Sequence, residues 1–246
     1  MATPSFFENI GGFFLNPKRH TLKILEEDDC RWELLSIQSN YFVKFNAMFA
    51  GVVLMFYMMY PEVFIVPEVI HTGNLFLYAA ASPLFIVGMF ALGYILVGIF
   101  DIRIQGSLSY WITKRALKSR EEPKELFYVR FISLYSFTHI PMTIFYAITT
   151  FWMFFFEKFS YTKIFFPVTD LTLPVIIHFL ILFAFLILKW VWEIRMKIAI
   201  FEWAEIPKSQ TRESIIISFL VRLWLVAVVF ICLYFAGNII AGAQWS

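Results

Sequence analysis

Residues 75–100 read LFLYAAASPLFIVGMFALGYILVGIF, twenty-six positions without an Asp, Glu, Lys or Arg. A helix rising about 1.5 Å per residue needs about 20 such positions to cross a hydrocarbon layer of about 30 Å. The stretch is long enough for one membrane span. The charge-free run that contains it, 69–100, has 32 residues and is too short for two spans with a turn between them. Its first residues, among them Val69, His71, Thr72, Gly73 and Asn74, read as a loop.

Four more charge-free runs organise the rest of the chain: 45–61, 131–156, 171–188 and 223–246. The two short ones are extended by Lys44 and Lys189, whose stems can lie along apolar surface while the ammonium reaches the interface. The sequence therefore predicts an all-α, polytopic membrane protein. Its core is a bundle of about five transmembrane helices, over 41–60, 75–100, 130–155, 172–193 and 216–240, accompanied by short interfacial helices. Residues 1–40 form a cytoplasmic amphipathic segment, and 41–246 the transmembrane domain. Composition agrees, with 60% hydrophobic, 20% aromatic and 15% charged residues, where soluble domains carry about 25% charged.

Basic residues set the orientation. Segments 1–44, 101–130 and 189–222 hold eighteen Lys and Arg, whereas the alternate segments hold two, Lys158 and Lys163. Cytoplasmic segments carry the Lys/Arg excess, so the N-terminus is placed on the cytoplasmic (or matrix-equivalent) side and the C-terminus opposite. Residues 1–40 contain six acids and no early apolar core, which fits neither a secretory signal nor a transit peptide. The first span is then the insertion signal. A net charge of +2 gives no reason to expect a nucleic-acid partner.

Three polar segments have readable patterns. Phe6, Phe7, Ile10, Phe13 and Phe14 share one helical face and predict an interfacial helix with its rings among the acyl chains, although Gly11 and Gly12 weaken it. Asn16-Pro17 supplies an N-cap and first-turn proline for a second short helix ending at Glu26–Asp29. In the 101–129 connection, Leu108, Trp111, Ile112, Arg115 and Lys118 describe a further interfacial helix, basic on its wet side and suited to anionic headgroups. A third cytoplasmic segment continues span four through Trp192 to Trp203, stops at Pro207 and restarts at Ser209–Ser214.

Little chemistry is legible. The chain lacks the zinc, nucleophile-elbow, phosphate-loop and dinucleotide motifs, and no catalytic residue, cofactor, metal ligand or small-molecule substrate is predicted. No span carries an acid in its central part, which argues against a proton- or cation-coupled pump. Cys30 and Cys232 read as small filler residues. His139 and His178 fall inside spans three and four, about 20 Å and about 9 Å from the outer ends of their helices at 1.5 Å per residue. Those depths disfavour a shared haem, so each is expected to hydrogen-bond a Ser, Thr or carbonyl on a neighbouring helix, as are Ser136 and Asn238. Lys44, Arg130 and Arg222 sit at cytoplasmic span ends. They are expected to snorkel, with an internal ion pair or an anionic-lipid site as the alternative and Arg222 its best candidate. Pro141 and Pro174 free backbone carbonyls that neighbouring groups must satisfy, and Gly88, Gly93 and Ala91 suggest a close helix contact in span two.

Three local features, together with five spans and a cytoplasmic N-terminus, give a resemblance. They are Phe13-Phe14-Leu15-Asn16-Pro17-Lys18, Gly106-Ser107-Leu108 after span two, and Leu134-Tyr135-Ser136 followed by Pro141. The chain resembles the Yip family, the Ypt/Rab-interacting membrane proteins and their bacterial and archaeal relatives. The resemblance implies a non-enzymatic membrane organiser or adaptor whose partners are membrane lipids and other membrane proteins. It brings no catalytic residues, and the N-terminal segment is short beside those of the eukaryotic trafficking members. The alternative is an accessory subunit of a large membrane complex such as a respiratory assembly, suggested by the aromatic content; a transporter or channel ranks third.

Overall fold

The computed structural model describes residues 5–26, 29–59, 83–118, 126–155 and 173–243. Part of the expected second span (75–82), the side chains of His178 and Asn238, and both cysteine side chains lie outside the described residues.

Helix α1 (Phe6–Leu15) opens on a capping box. Ser5 Oγ accepts from the Glu8 backbone N–H at 3.2 Å, and the Glu8 carboxylate accepts from the Ser5 N–H at 2.5 Å. Two donors that would otherwise be orphaned are thus satisfied. Helix α2 (Pro17–Leu25) follows at once, with Asn16 Oδ1 accepting from the Arg19 N–H at 3.1 Å and Pro17 in the first turn, as expected. Gly12 does not break α1. A Cβ there would lie 2.3 Å from His20 Nδ1, so its bare backbone is what lets α2 close against α1.

The long helix α3 (Asp29–Met59) packs along α4 (Pro83–Gly93), α6 (Tyr128–Phe137) and α7 (Ile140–Phe155). Its closest approach is at Gly93, where an added Cβ would lie 1.8 Å from the Ala47 carbonyl oxygen. Of the small residues expected at a helix contact, Gly93 makes it; Gly88 faces open space and Ala91 is exposed.

One expectation needs correcting here. The chain was expected to leave span two near residue 100 and form a separate interfacial helix. Instead α4 continues without a break through a π-helical stretch, Tyr94–Gln105, into α5 (Gly106–Leu117). No proline interrupts this stretch, and one helical glycine costs only about 1 kcal/mol. Burial of Ile102, Ile112 and Leu117 offsets that cost. The wider π turns re-aim the side chains that follow, and such turns recur at functional sites.

Helices α6 and α7 meet at a bend of 41° at Thr138–His139, just ahead of Pro141. Hydroxyls of the same helices serve backbone carbonyls around it: Ser136 Oγ donates to Ser133 O, Thr138 Oγ1 to Tyr135 O and Thr143 Oγ1 to His139 O, at 2.8, 2.7 and 3.1 Å. Helix α8 (Leu173–Trp203) ends before Pro207 in a Schellman arrangement, with Glu205 at φ 57° and the Ile206 N–H bonded to Phe201 O at 2.8 Å. Helix α9 (Lys208–Ala243) then packs on α5 and α8.

Among the described residues, each of the five expected spans contains helix. Among the described residues, one helix, Phe90–Leu117, has the length and apolarity to cross a membrane, and the bent α6–α7 pair makes a second if it is one span.

The N-terminal helices are docked on the bundle, α2 along α8 and α1 beside α7. Phe13 therefore departs from the expected lipid face. It is buried in the core, stacked on Phe137 at 4.9 Å, and Phe42 stacks on the other side at 5.4 Å. Phe6 and Ile10 lean against the same core, whereas Phe7, Phe14 and Leu15 stay exposed. A polar relay accompanies the rings: His20 Nε2–H donates to Asn9 Oδ1 at 3.0 Å, and Asn9 Nδ2 donates to Gln38 Oε1 at 2.5 Å. Burial and the nearby Lys23 push the His20 imidazole down to about 4 from 6.5. With its folded pKa below its unfolded one, His20 contributes stability that is complete above pH 6.5 and lost as pH falls toward 4. The protection factors of α1 amides, taken relative to intrinsic exchange at each pH, are expected to fall as pH drops through that window in the wild type and to lose the dependence in His20→Gln.

Candidate functional site

Lys189, Glu193 and Lys197 recur every fourth residue on one face of α8, so they stand in a row. Buried charge costs several kcal/mol per ion unless paired, and all three are buried. The neighbouring helices supply the partners.

Around Glu193 the arrangement is dense. Arg222 of α9 grips the carboxylate with both guanidinium nitrogens, Nη1 on Oε2 and Nη2 on Oε1, the latter at 2.6 Å. Lys197 Nζ lies 3.0 Å from Oε1, and Ser109 Oγ of α5 donates to the same oxygen at 3.0 Å. Lys197 also donates to Ser218 Oγ of α9. Three helices are thereby tied to a single carboxylate by charge-assisted bonds, roughly twice as strong as neutral ones.

Lys189 turns to a second carboxylate, that of Asp101, which the π-helical stretch delivers. His139, buried at the bend between α6 and α7, sets Nε2 at 2.7 Å from Asp101 Oδ2 while its Nδ1 lies 3.3 Å from Tyr135 O. Tyr135 bridges the two halves: its hydroxyl accepts from Arg222 Nη2 at 3.0 Å and reaches Asp101 Oδ1 at 3.4 Å. The result is one continuous polar cluster that joins the π-helical stretch, α5, α6, the turn before α7, α8 and α9. It combines three fixed cations with two carboxylates. The cleft beside Glu193, Lys197 and Arg222 measures about 20 Å³, room for about one water.

Two expectations change on this geometry. Arg222 does not snorkel; it takes the internal ion pair that stood as the alternative. His139 answers a carboxylate on another helix rather than a Ser, Thr or interhelical carbonyl. Ser136 donates within its own helix. Acidic residues were expected to be missing from span centres; Glu193 lies at the end of the expected fourth span, whereas Asp101 lies well inside the helix Phe90–Leu117. The burial of Glu193 and the half-burial of Asp101 were not foreseen. The signal available was the Lys189, Glu193, Lys197 spacing, too regular for a solvated face that also carries Trp192 and Met196.

The other predicted residues remain apart from the cluster. Trp111 is exposed with the Arg115 guanidinium 5.9 Å over its ring, and Lys118 is exposed at the end of α5. Lys44 lies over Tyr41 at 5.8 Å, and Arg130 over Trp32 at 5.0 Å, joining α6 to α3. Among the described residues no group of three or more His, Cys, Asp and Glu is placed to hold a metal ion. Comparison with known proteins finds no matching family model, no similar curated protein and no similar solved structure.

Proposed function

We propose that this chain is a five-span, Yip-like membrane protein that organises other components through lipid and protein contacts, its cytoplasmic helix ends locked by the buried charge cluster. The observation that carries this reading is that the cluster's charges face one another. Ionisable groups that serve transport line a water-filled path, whereas here the adjoining cleft has room for about one water. Outside the cluster, large apolar side chains point outward along α8 and α9, among them Leu180, Phe183, Ile187, Leu220 and Trp224. Contiguous exposed apolar surface of this kind suits lipid or a partner helix. An accessory subunit of a larger assembly would use the same surface.

The topology is tested with single cysteines in a background lacking Cys30 and Cys232. Cysteines at Glu68 and Glu157 are expected to react with an impermeant thiol reagent from outside, and one at Lys118 is expected to stay unlabelled until the membrane is opened. Labelling of the Lys118 site in intact cells removes the five-span reading. Isolation in mild detergent then separates the two roles: a fixed stoichiometric complex favours the accessory subunit, and exchangeable partners favour the organiser.

A further inference from the structure

A second polar recess borders the face of α6 that carries Tyr128, Ile132, Ser133 and Ser136, next to the face from which Tyr135 meets the charge cluster. It is bounded by α3, the π-helical stretch and α6, and encloses about 260 Å³, close to the lower end of small-molecule sites. Its walls come from the cytoplasmic ends of spans one, two and three and from the residues just outside them. In the proposed topology Ser39, Asn40, Arg103 and Tyr128 lie at the cytoplasmic headgroup level, and Tyr94, Gly98, Ser133 and Ser136 lie within the first two turns of their spans.

The chemistry of the walls is specific. Arg103, Asn40 and Tyr94 line the recess and make no hydrogen bond or ion pair among the described residues. They offer a fixed cation and further donors to whatever enters. Ser39, Ser133 and Ser136 also line it, but each donates its proton to a carbonyl of its own helix. Their hydroxyl oxygens therefore remain as acceptors. Val43, Ile102 and Ile132 add apolar wall, and Ile95 and Ile99 are exposed along the same stretch. Gly98 keeps the recess open: a Cβ there would lie 2.7 Å from the Tyr94 ring.

We infer that this recess binds an anionic phospholipid with a hydroxylated headgroup, its phosphate at Arg103 and its hydroxyls on the serine oxygens. A phosphate alone would satisfy Arg103 but not the three acceptors, and a choline headgroup has no proton to give them. Basic pockets between helices on the cytoplasmic side are suited to such headgroups. The inference rests on the membrane reading for its setting. Its test is done in detergent and does not depend on sidedness, whereas thiol labelling does, so the two fail separately.

The experiment is native mass spectrometry of the full chain titrated with phosphatidylglycerol, phosphatidylcholine or inorganic phosphate. Phosphatidylglycerol is expected to be retained in preference to phosphatidylcholine, and excess inorganic phosphate should not displace it. Arg103→Gln is expected to lower retention at least about fivefold. Asn40→Leu should lower it less, and Lys118→Gln, an exposed cation away from the recess, should leave it unchanged. Arg103 is exposed and unpaired, so its variant keeps the fold, verified by near-ultraviolet circular dichroism. Equal retention of the two lipids, or unchanged retention in Arg103→Gln, overturns the assignment. Displacement by inorganic phosphate also overturns it and marks a free-phosphate site.

Discussion

Glu193→Ala is expected to destabilise the protein by about 3–5 kcal/mol, the cost of leaving buried partners without their counter-charge. The magnitude follows from what the carboxylate holds. Without it, Arg222 and Lys197 are left as buried cations whose nearest remaining acceptors are the hydroxyls of Tyr135 and Ser218. Ser109 loses its acceptor as well. Glu193→Gln keeps an oxygen for Ser109 and should fall between wild type and alanine. Replacing Glu193, Arg222 and Lys197 together by leucine, leucine and methionine should recover much of the loss, because apolar groups of similar volume carry no desolvation cost. Thermal unfolding in a fixed detergent reads all four proteins. Wild-type stability in Glu193→Ala would show that the charges are solvated, and the lock would then be discarded. A triple variant that is stable but loses its partners would separate the cluster's role in folding from its role in assembly.

The sequence made some elements plain and hid others, for physical reasons that differ. Caps are local: Asn16 with Pro17 announces α2, which begins there, and the Ser5–Glu8 box that opens α1, equally local, was not read. Apolar runs are also local, and the described residues in each one are helical. The charge cluster is not local. Glu193 meets residues 29 and 84 positions away, and Asp101 meets one 88 positions away. Such pairings leave no trace in spacing except on α8, where the row of Lys189, Glu193 and Lys197 gives half of the cluster. The other half depends on the π-helical turns that re-aim Asp101 and on the bend before Pro141 that presents His139. Phe13 illustrates the reverse error. It was read as one face with Phe6, Phe7, Ile10 and Phe14, of which Phe6 and Ile10 follow it inward and Phe7 and Phe14 stay exposed; periodicity does not say whether a face meets lipid or protein. The ring's partner, Phe137, lies more than a hundred residues along the chain.

Gly93→Ala is the second change expected to have a large effect, and it isolates packing from charge. The added methyl would lie 1.8 Å from the Ala47 carbonyl oxygen and 2.7 Å from the Gly51 nitrogen. Both are backbone atoms, so no rotamer can yield, and α3 and α4 must separate along their shared length. Overpacking of a fitted contact costs about 1–3 kcal/mol and more when backbone has to move, so a loss of at least about 3 kcal/mol is expected. Gly88→Ala supplies the contrast five residues earlier on the same helix. Nothing lies within 4 Å of its Cβ position, so the only change is the helical preference of alanine, a gain of up to about 1 kcal/mol. Opposite signs from two identical substitutions in one apolar helix would locate the α3–α4 contact at Gly93. Equal small effects at both positions would mean that the helices do not meet there, and α3 would then lose its place at the centre of the bundle.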